Sequence, residues 1–204
     1  MDIVRKLFKS SKRLSVIELW KLGFYYLFTR VFYRKFFLVK LPAYIRVKGL
    51  INVGPDCILG YNTVIDVLNN DSVLNIGTGL RTYHRCHIGV AGKMRIGDNV
   101  LIGSNVLIID HDHGFYGELN GCDPHTPPIE RRLVVRDVVV GDNVWLGENV
   151  CVLPGAWVGN GVVVGANSVV TGILPDNTLC VGAPARPIKQ FVNGGWLKVE
   201  LKMD

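Results

Sequence analysis

The sequence predicts an all-β chain wound as a coil of short strands, and three observations carry that prediction. Aliphatic side chains recur every six residues, small side chains recur inside each unit, and one long segment interrupts the series. The recurrence is clearest where Val140, Leu146, Val152, Val158, Val164 and Val170 stand six apart, with glycine after four of them. Six matches neither a helix of about 3.6 residues per turn nor the alternation of an isolated strand; it belongs to short strands joined by regular bends. Four places after each aliphatic come Val144, Val150, Ala156, Val162 and Ser168. Each unit therefore turns one large and one small side chain inward, and the core is narrow. The phrase returns in Ile96-Gly97-Asp98-Asn99-Val100 and Ile102-Gly103-Ser104-Asn105-Val106, and more faintly at Val53-Gly54, Leu59-Gly60, Ile76-Gly77 and Ile88-Gly89. A sandwich with glycine turns would space them by about eight to twelve residues. Glycine, Asp and Asn after the aliphatic residue tolerate the left-handed backbone that tight corners need.

Residues 1–48 precede the repeats and read as a helical arm. They hold 12 Lys and Arg against only Asp2 and Glu18, whereas the rest of the chain holds 11 against 15, so the net charge of +6 resides in the arm. Aromatics crowd it, from Trp20 through Phe24, Tyr25, Tyr26, Phe28, Phe32 and Tyr33 to Phe37. The longest uncharged run, Leu22 to Thr29, is far short of the roughly 20 apolar residues that cross a bilayer. Two readings stand: residues 1–40 lie on an anionic inner-membrane surface, or the helix caps the first coil or packs on a partner subunit. Nucleic acid is not expected, because the repeats carry no basic face and no nucleic-acid motif occurs. Five scattered cysteines (Cys57, Cys86, Cys122, Cys151, Cys180) without CxxC spacing point to reduced thiols and a cytoplasmic protein, peripheral on the membrane if the arm binds there.

The coil is expected over 49–190, broken by a loop at 110–137, with a tail at 191–204. A long insertion in a regular coil adds nothing to the repeat and is the natural place for a site. Its root reads Asp110-His111-Asp112-His113-Gly114. Zinc needs three or four ligands, which His111 and His113, one residue apart, do not supply with the usual spacing; no metal is expected. A general base is the chemistry left for an imidazole near neutral pH. His111, nearer the coil, is the first candidate and His113 the second, with Asp110 and Asp112 beside them. A loop histidine that only bonds backbone is the alternative.

Two further clusters stand out. Asn143-Val144-Trp145-Leu146-Gly147-Glu148 puts a tryptophan at an outward position that needs cover. Gly165-Ala166-Asn167-Ser168-Val169-Val170-Thr171 leads to Gly182-Ala183-Pro184-Ala185-Arg186-Pro187-Ile188-Lys189 at the end of the coil.

With these motifs the chain resembles the hexapeptide-repeat acyltransferases, in the branch that O-acetylates sugars and polysaccharides. The resemblance covers about 49–190. It implies a left-handed parallel β-helix in which three hexads make one turn of a triangular prism. The handedness comes from the resemblance alone, since parallel crossovers are otherwise right-handed. It implies acetyl-CoA as co-substrate, a loop histidine as base, direct transfer to a carbohydrate hydroxyl in O-antigen, capsule or exopolysaccharide assembly, and a homotrimer with clefts between prisms. It places Trp145 beside the histidine and the donor, and Gly147, Glu148, Gly165, Ala166 and Thr171 along the pantetheine channel. Arg186 and Lys189 then approach the CoA phosphates, where cations are favoured. Several sugar acetyltransferases have Lys after the Thr; here it is Gly172, so phosphate contacts differ. N-acetylation of an amino sugar nucleotide, antibiotic acetylation and a non-catalytic trimeric scaffold are the rival functions.

Overall fold

The computed structural model describes residues 15–199. Helix α1 (Val16–Phe32) starts in a capping box: Ser15 Oγ accepts the Glu18 N–H, and the Glu18 carboxylate accepts the Ser15 N–H at 2.7 Å. The exchange pairs donors that a helix start leaves over, and the backbone bond from Ser15 holds the Glu18 carboxyl below its usual range. Thr29 is buried and fastens the helix to the coil. Its hydroxyl donates to the Tyr25 carbonyl (2.6 Å) and accepts the Val39 N–H (2.9 Å).

From Leu38 onward the chain winds through three sheets. The first face stacks Leu38–Val39, Ile58–Leu59, Arg81–Thr82, Leu101–Ile102, Trp145–Leu146, Val163–Val164 and Thr178–Gly182 in parallel. The second stacks Ala43–Val47, Thr63–Val67, His87–Val90, Leu107–Ile109, Cys151–Val152 and Val169–Val170. The third stacks Leu50–Val53, Val73–Ile76, Lys93–Ile96, Val138–Val140, Trp157–Val158 and Ile173–Leu174. Consecutive strands lie on different faces, and each pairs with its counterpart one coil on, as a parallel β-helix requires.

Coil length explains what the repeat revealed and what it hid. Asn149 and Asn167 occupy the same corner 18 residues apart, which is three hexads. Arg85 and Asn105 are 20 apart, and Asn52 and Asn75 are 23 apart. The longer early coils blur the six-residue beat, so the solenoid begins at Leu38 rather than at 49. Beyond 190 it does not end in a tail either: Ala185–Val192 folds back antiparallel on Thr178–Gly182, and Gly195–Lys198 pairs with it in turn.

Both inward positions are filled as the repeat predicts. Val140, Leu146, Val152, Val158 and Val164 are buried, and so are the smaller partners Val144, Val150, Ala156, Val162 and Ser168. Each buried aliphatic side chain stabilises the fold by roughly 1.5–3 kcal/mol. At the corners the work is divided differently from the expectation. The left-handed backbone falls three places after the aliphatic residue, with φ of 56° at Asn143, 57° at Asn149, 82° at Gly155, 65° at Gly161 and 61° at Asn167, and likewise 55° at Asn99 and 59° at Asn105. Glycine after the aliphatic residue serves close approach instead: a Cβ on Gly97 would stand 2.7 Å from the Gly141 carbonyl carbon, and one on Gly141 2.8 Å from that of Gly159.

Candidate active site

The interruption leaves the coil after Ile109 and returns at Val138, at the corner between the second and third faces. It rises as a short hairpin, His111–His113 against Leu133–Val135, in which His111 faces Val135 and His113 faces Leu133. Residues two apart on a strand share a side, so both imidazoles point one way, their ring centres 6.5 Å apart. Asp112 points the other way and pairs with Arg136 at 2.6 Å.

Asp110 anchors the hairpin. Its side chain is fully buried, and three donors surround the carboxylate: the Ala91 N–H (2.7 Å), the Gly92 N–H (2.8 Å) and His111 Nδ1 (3.0 Å). A buried carboxylate is tolerated when its oxygens are satisfied in this way. The bond draws the His111 ring down over Gly89, where a side-chain carbon would stand 3.4 Å from His111 Cε1, and leaves the His111 side chain only 13% exposed. His113 is exposed, and among the described residues neither ring nitrogen has a hydrogen-bond partner. Its carbonyl accepts from Tyr116 Oη, and Arg131 donates to that same hydroxyl (3.0 Å) and to the carbonyls of Thr126 (2.8 Å) and Pro124 (3.0 Å). Arg131 and Arg136 thus order the loop. Sequence reasoning passed over both, since no spacing marks an arginine that reaches across an irregular loop.

The remaining candidates divide between two corners. Gly147 and Glu148 lie at the corner between the first and second faces, under Gly165 and Ala166. A Cβ on Gly147 would stand 2.8 Å from the Ala166 nitrogen. Trp145 lies on the outside of the first face, 51% exposed, in register with Leu101 and Val163. Arg186 and Lys189 belong to the returning strand, opposite Val181 and Leu179. Thr171 alone shares the hairpin's edge: it follows Val170 as Ile109 follows Ile108, two rungs on. Within the chain the imidazoles and the glycine corner stand at opposite edges of the second face. Among the described residues no group of three or more His, Cys, Asp or Glu is placed to hold a metal ion.

A triangular β-coil with a histidine-bearing loop and a glycine-lined corner defines a hexapeptide-repeat transferase. Residues 137–172 match the family described as Bacterial transferase hexapeptide (six repeats), and residues 93–114 match Hexapeptide repeat of succinyl-transferase. The chain is 41% identical over 184 residues to the Escherichia coli K12 lipopolysaccharide biosynthesis O-acetyl transferase WbbJ, covering 90% of this chain and 93% of that one. It is 34% identical over 121 residues to the galactoside O-acetyltransferase of the same organism, covering 57% and 55%. Among solved structures it superposes on a maltose O-acetyltransferase from Clostridium difficile 630 with a TM-score of 0.57 and 25% identity, covering 88% and 90%. The fold is shared as well by a mutant of AntD, an N-acyltransferase from Bacillus cereus, in complex with dTDP and coenzyme A, with a TM-score of 0.59 and 21% identity over 76% and 81% of the chains. The chain belongs to the hexapeptide-repeat acyltransferase family: it is an acetyltransferase built on that family's left-handed parallel β-helix.

Proposed function

We propose that the protein transfers the acetyl group of acetyl-CoA to a carbohydrate hydroxyl during O-antigen, capsule or exopolysaccharide assembly, with an imidazole of the hairpin as general base. The observation that carries this reading is the buried Asp110 clamp, which sets two imidazoles on a hairpin beside a coil 41% identical over 184 residues to WbbJ. Access divides the pair. His111 is the better fixed but is turned onto Gly89, while His113 offers open ring nitrogens; His113 is the base, and His111 with Asp110 positions it. His113 accepts the hydroxyl proton as the oxygen attacks the thioester carbonyl. The tetrahedral oxyanion collapses, the C–S bond breaks, and the CoA thiolate takes the proton from the imidazolium. No covalent enzyme intermediate arises. Base catalysis of this kind contributes about 10² to 10⁴ in rate.

The donor lies along the corner of Gly147, Glu148, Gly165 and Ala166, beside Trp145, with Arg186 and Lys189 toward its phosphates. Because this corner and the hairpin stand at opposite edges of one face, the complete site takes the hairpin of one protomer and the corner of the next. That arrangement accords with a homotrimer, in which Thr171 lies on the hairpin's side of the cleft. The arm holds the trimer against an anionic membrane surface. Val16, Trp20, Phe24, Leu27 and Val31 form an exposed apolar stripe on α1, in a segment of strong positive charge, the combination that interfacial helices use. Among the described residues no helix is long and apolar enough to cross a membrane, and residues 1–14 lie outside the described residues.

The test is turnover with paired hydroxyl and amino acceptors. His113→Ala loses about 100-fold or more in kcat with acetyl-CoA affinity kept, and the hydroxyl acceptor is the one acetylated. Equal turnover by His113→Ala and the parent overturns the assignment of the base, and preference for the amine makes the enzyme an N-acetyltransferase.

A further inference from the structure

Between α1 and the first face runs a groove of about 540 Å³, within the roughly 300–1,000 Å³ that holds small ligands. Its chemistry is uneven. Lys21 enters from the helix, Lys40 and Arg81 from the first and third coils, and Tyr61, Tyr83 and His84 from the corner with the second face. Tyr61 and His84 stack at 5.2 Å with 4° between their planes, Tyr83 stands edge-on to His84 at 6.3 Å, and the Lys40 ammonium lies 5.5 Å from the Tyr61 ring. Tyr83 is 55% exposed, a large ring left without cover.

The cations outnumber their counter-charges. Glu18 is the one carboxylate lining the groove, and it is already committed to the Ser15 N–H and hydroxyl. Among the described residues Lys21, Lys40 and Arg81 have no salt bridge to a carboxylate. Three cations converging on one cleft favour an anion there, and an arginine with two lysines suits phosphate oxygens. Burial pushes the Tyr61 phenol above its ordinary range, with the Tyr25 phenol beside it adding to the shift.

Position adds the third argument. Tyr61, Tyr83 and His84 lie at the same corner as Gly103, Gly147 and Ala166, on earlier rungs. The groove is therefore the N-terminal continuation of the corner assigned above to acetyl-CoA. We propose that it is the acceptor site and takes a glycosyl diphosphate, with the sugar against Tyr83 and His84 and the diphosphate among Lys21, Lys40 and Arg81. The placement rests on the acetyltransferase reading, while the chemistry of the groove does not.

Calorimetry on the full chain with CoA saturating tests it with four probes: pyrophosphate, UDP-galactose, farnesyl diphosphate-linked galactose, and free galactose. Pyrophosphate binds whatever sugar the enzyme uses, and the better diphosphate sugar binds at least about 10-fold tighter than free galactose, in line with charge-assisted contacts. Arg81→Ala and Lys40→Ala each weaken these by about 10-fold, and Tyr83→Ala raises the acceptor KM while that for acetyl-CoA stays put. The stronger of the nucleotide and lipid arms identifies the carrier. Free galactose binding as tightly as both diphosphates, pyrophosphate failing to bind, or Arg81→Ala and Lys40→Ala binding like the parent overturns the proposal. A chain whose melting temperature ignores CoA sinks the donor-corner assignment on which the placement rests instead, and the two failures are separable.

Discussion

Asp110 shows how much one side chain can decide. Removing its carboxylate in Asp110→Ala strands the buried Ala91 N–H, unpairs the half-buried Gly92 N–H and frees the His111 ring. Each unpaired buried donor costs about 1–3 kcal/mol, so the variant should melt several degrees lower and be cut faster by trypsin at Arg131 and Arg132. Unchanged melting and cleavage would mean that the hairpin is held by Arg131 and Arg136 alone. The thiols make a second prediction at this scale. Burial raises Cys57, Cys86 and Cys180, and a protonated, enclosed thiol is inert. Iodoacetamide at neutral pH should label only Cys122 and Cys151, which are partly open; mass spectrometry of the native protein finding Cys57 modified would contradict the enclosure.

Among the elements, the corners are where sequence and structure meet most closely. Asn149 combines a φ of 57° with a link in a side-chain ladder, receiving the Asn105 amide at 3.0 Å and donating to Asn167 at 3.0 Å. Asn149→Ala loses both bonds and places a residue ill suited to the left-handed region there, for a loss of about 1–3 kcal/mol. Asn149→Gly keeps the backbone conformation and should lose less, so chemical denaturation of the two variants separates strain from hydrogen bonding. The coil was legible because six residues per bend is a period that neither helix nor open sheet produces. The first coils were not, because turns of 20 and 23 residues carry no simple period. The loop's position and its histidines could be read from the break at Ile108, but Arg131, Arg136 and the Ala91–Gly92 cradle could not, since each acts through the fold. The groove was invisible for the same reason: α1 and four separate coils build it. Helix α1 makes its own prediction. The full chain should co-sediment with anionic vesicles and not with neutral ones, and Trp20→Ser with Phe24→Ser should abolish this. Sedimentation indifferent to lipid charge or to these substitutions would assign the stripe to a protein contact.

At the scale of the whole molecule, the decisive feature is that the hairpin and the glycine corner border opposite edges of one face. A single prism cannot bring them together, whereas a cyclic trimer repeats one heterologous contact three times and can set the hairpin of each chain against the corner of its neighbour. That geometry predicts complementation between two dead enzymes. On the roles proposed above, His113→Ala removes the base but leaves the corner intact. Ala166→Trp fills an exposed corner position, blocking the donor while leaving the hairpin intact. Mixed at equal ratio after subunit exchange, the two should recover about a quarter of parental turnover, since about one contact in four joins a sound hairpin to a sound corner. A site contained within one chain would recover nothing, because every chain carries one lesion. Size-exclusion chromatography with light scattering must show trimers in the mixture, and CoA should raise the melting temperature of His113→Ala but not of Ala166→Trp, by mass action on the folded state. Trimers that exchange subunits yet stay inactive would place base and donor on the same protomer.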